Sequence, residues 1–486
     1  MEDTKQKVMS NFIWRFAERC GAQIVAFIVS VVLARILEPE YYGTVALITV
    51  ITSILQVFVD SGLGNALIQK KDADDMDFST VFFTNIFFCV FLYIVLFASS
   101  PLIAKFYNNV ELVPYIRVLG ITILVSGVKN VQQAYVSKKL IFKKFFWATL
   151  VGTLIAAGIG IIMALNDFGV WAIIAQQIVN VSIDTLMLWI TVNWRPKLVF
   201  SFRRLKELFS YGWKLLISSL MSTIYGDIRQ LVIGKRYSSS DLAYYNRASQ
   251  FPNLIVTNVN TSIDSVLLPT MSQHQDDKEK VKTMTRRAIK ISVFIMSPLL
   301  MGLAFCSNNV ISIILTDKWL PCVPFMVILC VTFMFQPIHT ANLNAIKAMG
   351  RSDLFLKLEI VKKVVGISLL LITMNISVMA MAYSLLVSSV FDQIINSWPN
   401  KKLLNYSYLQ QLKDIAPSIL LAVGMGAIVY CWNFAGLGTV VTLILQVLTG
   451  VVVYIAGAKL FKNDSFEYVL ETVKGLVKRK KKVEEK

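Results

Sequence analysis

A chain of 486 residues with 56% hydrophobic residues, only 16% charged residues and a mean hydropathy of +0.62 is too apolar for a surface that faces water on every side. A net charge of +18 would suit nucleic acid, but the aromatics lie inside apolar runs and the bases between them, so no nucleic-acid partner is expected. Six cysteines without CxxC spacing, mostly within apolar stretches, argue against a metal site or a disulfide framework.

The start, Met1-Glu2-Asp3-Thr4-Lys5, leads into a long first helix without a short apolar core and cleavage site, so no removable signal peptide is read. A membrane helix needs about 20 mainly apolar residues. Spans are predicted at 12–34, 42–63, 80–103, 114–135, 146–165, 168–192, 211–234, 243–268, 289–311, 321–346, 355–374, 376–396, 414–431 and 436–458. The run 80–103 and the division at Met374-Asn375 leave twelve or thirteen spans as the alternative count.

Loop charge tests the number. Termini and alternating loops on the N-terminal side hold 34 of the 48 Lys and Arg, and the opposite loops hold five, Arg35, Lys105, Lys235, Arg236 and Lys318. That asymmetry predicts an even number of spans with both termini cytoplasmic. A repeat offset by nearly 200 residues is visible: Phe12-Ile13-Trp14-Arg15 with Tyr211-Gly212-Trp213-Lys214, Glu40-Tyr41-Tyr42 with Leu242-Ala243-Tyr244-Tyr245, and Pro114 with Pro321. The predicted organisation is an N-terminal lobe (1–192, spans 1 to 6), a cytoplasmic linker (193–210) and a second lobe (211–396, spans 7 to 12). An extra helix pair (397–458) and a basic cytoplasmic tail (459–486) complete it. The fold class is an all-α integral membrane protein with two pseudo-symmetric six-helix lobes related by an axis along the membrane normal. The tail Lys478-Arg479-Lys480-Lys481-Lys482 reads as a contact for anionic membrane lipids or as a plain solubilising end.

Polar groups at membrane depth are costly and turn toward protein or a water-filled cavity. Arg15, Glu18 and Arg19 share one face of the first helix, with Glu18 partly neutralising the arginines; snorkelling to the interface is the alternative. Span 8 carries the longest polar stripe: Asn246, Gln250, Asn253, Thr257, Asn260 and Asp264, with Arg247 alongside and Pro252 within it. Span 2 carries Gln56 and Asp60, and span 7 carries Thr223, Asp227 and Gln230 beside Arg229. Helix-to-helix glue is the structural alternative for any one amide. Arg117, Lys129, Gln132 and Gln133, then Gln176, Gln177 and Asn180, and His339, Asn342 and Asn344 are further candidates. His339 reads either as a proton-coupling group or as a packed neutral ring. A cationic cavity implies an anionic substrate, with phosphate the natural partner for Arg. Walker A, HExxH, GxSxG and nucleotide-binding GxGxxG motifs are absent, so no enzyme activity and no cofactor are expected.

The run Ala34-Arg35-Ile36-Leu37-Glu38-Pro39-Glu40-Tyr41-Tyr42-Gly43 resembles the first-loop signature of the polysaccharide/O-antigen flippases. Phe58-Val59-Asp60-Ser61-Gly62-Leu63-Gly64-Asn65-Ala66-Leu67-Ile68-Gln69-Lys70-Lys71 is similar to the lipopolysaccharide, teichuronic acid and colanic acid exporter branch. Phe78-Ser79-Thr80-Val81-Phe82-Phe83, Gly169-Val170-Trp171-Ala172 and Tyr244-Tyr245-Asn246-Arg247-Ala248-Ser249-Gln250-Phe251-Pro252 extend the likeness over most of residues 10–400. The resemblance implies a member of the multidrug/oligosaccharidyl-lipid/polysaccharide exporter superfamily, with two lobes around a central cavity. It implies a flippase in the bacterial cytoplasmic (inner) membrane that moves undecaprenyl-diphosphate-linked oligosaccharide outward without ATP, with Na+ or H+ coupling. Arg15, Arg19 and Arg247 are the implied pyrophosphate positions, with Asn246, Gln250, Asn253 and Asn260 toward the sugar. Glu18, Asp60, Asp227, Asp264 and His339 are assigned to ion coupling or structure. The chain is expected to act as a monomer and to meet polysaccharide synthesis proteins. A multidrug-type antiporter and a non-transporting scaffold of the assembly machinery are the competing readings.

Overall fold

The computed structural model describes residues 21, 23–60, 62–139, 141–471 and 474, and within them every regular element is helical. Arg15, Glu18 and Arg19, and the lysine-rich tail, lie outside the described residues. In chain order the helices are α1 (Gln23–Ile36), α2 (Pro39–Asp60), α3 (Leu63–Gln69), α4 (Asp75–Phe106), α5 (Leu112–Leu119), α6 (Ile121–Lys139), α7 (Lys143–Leu165), α8 (Val170–Thr191) and α9 (Phe202–Arg236). They continue as α10 (Ser239–Ser272), α11 (Lys278–Phe305), α12 (Ser307–Ile314), α13 (Val323–Met334), α14 (Gln336–Ala348), α15 (Ser352–Thr373), α16 (Val378–Leu403), α17 (Tyr408–Tyr430) and α18 (Thr439–Leu460). Among the described residues ten helical stretches are long and apolar enough to cross a membrane. Helices α9, α10 and α15, at the predicted spans 7, 8 and 11, are as long but more heavily charged or polar, and fall outside those ten.

Lipid as the solvent is written into the burial pattern. Helix α18 buries Thr442, Gln446, Gly450, Tyr454 and Ala458 and exposes Val440, Val441, Ile444, Val447, Leu448, Val451, Val452 and Ile455, the reverse of a helix on a water-soluble protein. The buried Gln446 is satisfied: Asn309 donates to its Oε1 at 2.9 Å and its Nε2 donates to Asn433 at 3.2 Å.

Boundaries differ from the sequence expectation where proline or glycine intervenes. Predicted span 10 is interrupted at Phe335, where Pro337 opens α14, because a proline nitrogen cannot donate to the preceding turn. Predicted span 4 is divided at Gly120 into α5 and α6. The division at Met374-Asn375 is present, between α15 and α16.

The chain forms two compact units, Met1–Ala243 and Tyr244–Lys486. In the first, α7 and α8 pack through a ridge of small residues four apart, Ala148, Gly152, Ala156, Gly160 and Ala164. A Cβ on Gly160 would sit 2.8 Å from the Gln176 side chain, so the ridge sets the helix spacing. Helix α9, which the sequence reading gives to the second lobe, packs on α2, α3 and α4 of the first unit. Two glycines of the signature runs make close backbone approaches nearby, Gly62 to Gly212 of α9 and Gly43 to Ser239 at the start of α10. A Cβ on Gly43 would fall 1.6 Å from the Ser239 carbonyl oxygen, and Gly62 and Gly212 meet backbone to backbone. At the N-terminus of α4, Asp74 and Asp77 form a reciprocal capping box, and Arg204 pairs with both. The Arg204 guanidinium holds the Asp74 carboxyl down at about 2. In the second unit, α11 packs on α17, and a fully buried amide cluster joins α14, α16 and α17: Asn400 donates to Asn342 at 2.7 Å and Asn342 to Gln411 at 2.8 Å.

Candidate functional site

Each unit carries an aspartate of one long helix held by an asparagine of another. In the first, Asp60 at the end of α2 accepts from Gln56 at 3.1 Å and from Asn130 of α6 at 3.2 Å. Asn85 of α4 in turn donates to Asn130 Oδ1 at 3.1 Å. The network is tight, because a Cβ on Gly64 would lie 2.7 Å from Asn130 Oδ1. One residue along α6, Lys129 pairs with Asp184 of α8 at 3.2 Å, both side chains largely shielded. On α9, Asp227 accepts from Ser53 of α2 at 3.1 Å and from Gln230 at 2.9 Å. Beside it Arg229 is only 7% exposed, and its Nε and Nη2 have no hydrogen-bond partner. A buried cation with open donors is costly unless something anionic or hydrated meets it.

In the second unit, Asn344 of α14 donates to Asp264 of α10 at 2.5 Å. This pair borders a cavity of about 320 Å3 into which α14, α15 and α16 contribute Gln336, His339, Lys347, Glu359, Lys362, Ser389 and Asp392. Lys362 pairs with Glu359 at 2.5 Å, and Lys347 lies 4.5 Å from the Phe355 ring centroid. His339 is 8% exposed and pairs through Nδ1 with Asn396 at 3.1 Å.

The stripe on α10 divides along its length. Arg247 is buried, donates to Gln250 Oε1 at 2.6 Å, and stacks 5.3 Å from the ring centroid of the fully buried Trp319. Asn246 and Gln250 are partly covered. Further along, Asn253, Thr257, Thr261 and Asp264 are exposed and Asn260 is partly covered, so a polar face stays open over three turns. Other candidates are structural ties. Gln132 donates to the Trp194 carbonyl at 3.0 Å, and Arg117 donates to Ser100 at 2.9 Å while lying 4.0 Å over Phe97.

The structure thus brings together Arg247 with Gln250, and Asp264 with the cavity that His339 also lines. It adds Glu359, Lys362, Asp392 and Trp319, and shows Arg229, noted in the sequence beside Asp227, to be buried with open donors. Four charges in seven residues, Lys357, Glu359, Lys362 and Lys363, were the available signal for the α15 contribution, since lipid-facing helices do not carry them. Among the described residues no group of three or more His, Cys, Asp or Glu is placed to hold a metal.

This architecture defines the class: a multi-helix membrane fold shared with known transporters. The lipid II flippase MurJ in an inward closed conformation superimposes with a TM-score of 0.74 at 18% identity, covering 93% of this chain and 99% of that one. An inward-facing multidrug resistance MATE family transporter of the MOP superfamily gives 0.63 at 16% identity, over 82% and 95%. Residues 32–324 match the family described as polysaccharide biosynthesis protein, and the chain belongs to that family. It is 25% identical over 433 residues to the teichuronic acid biosynthesis protein TuaB of Bacillus subtilis, covering 88% of this chain and 90% of TuaB. To the lipopolysaccharide biosynthesis protein WzxC of Escherichia coli it is 23% identical over 440 residues, 87% and 88% of the two chains.

Proposed function

We propose that this protein is a flippase that carries polyprenyl-diphosphate-linked oligosaccharide, of the undecaprenyl type, across the bacterial cytoplasmic membrane by alternating access. The observation that carries the reading is the open polar face of α10, Asn253, Thr257, Thr261 and Asp264, in a segment predicted to span the bilayer. Such a face is tolerated only against water or a polar ligand. Membership in a polysaccharide biosynthesis family supports a glycan cargo, and the fold shared with a lipid II flippase supports a lipid-linked one. Fourteen spans, two six-helix lobes around a central cavity and cytoplasmic termini complete the proposal. The diphosphate–sugar head occupies the polar cavity while the chain stays in lipid. No bond is made or broken; the protein lowers the cost of taking a charged head through about 30 Å of hydrocarbon.

Arg15, Arg19 and Arg247 are the proposed diphosphate groups, and the unpartnered nitrogens of Arg229 add a fourth cation. Asn246, Gln250, Asn253 and Asn260 present amides to the sugar. Na+ or H+ coupling is assigned first to Asp264 and its charged cavity, with His339 as a packed neighbour. The basic tail is proposed to touch anionic lipid. The test is inner-to-outer transfer of lipid-linked oligosaccharide in reconstituted vesicles. Arg15→Ala, Arg19→Ala and Arg247→Ala are expected to lower transfer; undiminished transfer in all three removes the cationic headgroup site, and no transfer by the intact protein favours a scaffold.

A further inference from the structure

The geometry points to a resident anionic phospholipid, distinct from the cargo, in the groove between α17 and α18. This groove has a volume of about 850 Å3, within the 300–1,000 Å3 range of ligand pockets. Its walls are apolar, Leu420, Leu421, Met425, Ile428 and Val453 among them, and the wall is open at Gly424, where an added Cβ would meet nothing within 4 Å. From Ala416 to Ile428 the lined depth along α17 is about 18 Å at 1.5 Å per residue. That matches one leaflet, roughly 15 Å or half of the bilayer core. Acyl chains fit that depth, whereas an undecaprenyl chain is longer than it.

The mouth supplies the charge. Five ionisable groups crowd it: Lys290, Lys413, Asp414, Lys462 and Asp464. Both carboxylates are already neutralised. Arg286 grips Asp414 through two bonds of 2.7 and 2.6 Å, and Lys290 holds Asp464 at 2.7 Å, pulling that acid below its ordinary value. Lys413 and Lys462 are exposed and have no carboxylate partner among the described residues. Two uncompensated ammonium groups therefore stand where a lipid phosphate would lie, on the face that the proposed topology makes cytoplasmic. A neutral lipid would satisfy the walls and leave these cations in place; an anionic one satisfies both.

The experiment is native mass spectrometry of the full chain, released from nanodiscs of equimolar phosphatidylglycerol and phosphatidylcholine. We expect phosphatidylglycerol to be retained over phosphatidylcholine by about 25-fold, from about fivefold for each of the two lysines near the surface. Lys413→Gln with Lys462→Gln should bring that ratio to about one, since the apolar walls remain. Gly424→Phe, at a position where an added Cβ meets nothing within 4 Å, should remove retained lipid of both kinds. Millimolar inorganic phosphate, which has the charge without the chains, should displace nothing. Equal retention of the two lipids by the wild type overturns the proposal. So does an unchanged ratio in the double variant, which decides the matter if Gly424→Phe does not fold. Displacement of phosphatidylglycerol by undecaprenyl phosphate also overturns it, because the groove would then belong to the cargo. Vesicle transfer is measured separately, so loss of the lipid preference leaves the flippase reading standing or falling on its own assay.

Discussion

Asp60 with Asn130 and Asp264 with Asn344 are the same device in two units: a carboxylate on one long helix gripped by an amide from another. Their surroundings differ. Asp60 is itself exposed, but its partner Asn130 is locked in place: it is buried, accepts from Asn85 and leaves no room for a side chain at Gly64, while the adjacent Lys129 is spent on Asp184. Around Asp264 the helices part to leave a cavity bearing Lys347, Glu359, Lys362 and Asp392. The contrast teaches that one Asp–Asn pair can close on a packed amide network while its counterpart borders a cavity lined with further charges.

The largest effect should come from breaking the closed side. Lys129→Met leaves Asp184 shielded and unpaired, and should cost about 3–5 kcal/mol, read as a lower melting temperature in detergent. Adding Asp184→Asn should recover much of it; no recovery would mean that the pair is not what holds α6 to α8. Gly64→Ala pushes on Asn130 and should cost about 1–3 kcal/mol, with coupling ion dependence unchanged. On the open side, Asp264→Asn keeps an acceptor for Asn344 and should leave melting alone while lowering gradient-driven transfer on the order of tenfold, or about 1.4 kcal/mol. A large melting shift with full transfer would make Asp264 a second brace.

The smallest effect is at the rim. Asp74→Ala removes the α4 cap and should cost about 1 kcal/mol. Because the folded acid, at about 2, sits below its ordinary 3.8, its contribution is full above about 4 and is lost as the pH falls through 2. Melting of the wild type and of Asp74→Ala should therefore converge only below about pH 4. A constant difference down to pH 2 would mean that the ionised carboxylate is not what Arg204 holds.

Much of this was legible in the residues. Apolar runs of bilayer length gave most helices, since twenty apolar residues in a row serve few other ends. The polar period along one face of α10 is visible in the sequence itself, because a repeat of 3.6 shows in a single chain. What the stripe faces was not legible in detail: Arg247 is covered by Trp319, seventy-two residues away in the chain, and no local pattern foretells that pairing. The charged cavity was missed because its groups are brought together from separate helices, Asp264 from α10, Glu359 and Lys362 from α15 and Asp392 from α16. The groove at α17 and α18 was hidden for the opposite reason: glycine and leucine in an apolar run look the same whether the face is flat or hollow.

One measurement bears most directly on a hydrated route for the headgroup. Single cysteines at Asn253 and Thr257, in a chain freed of its own six, are exposed to a membrane-impermeant thiol reagent, with and without lipid-linked oligosaccharide. The account predicts labelling at both positions and protection by the oligosaccharide donor. Absence of labelling from either side of the membrane, in a protein that still melts as the wild type does, would contradict it.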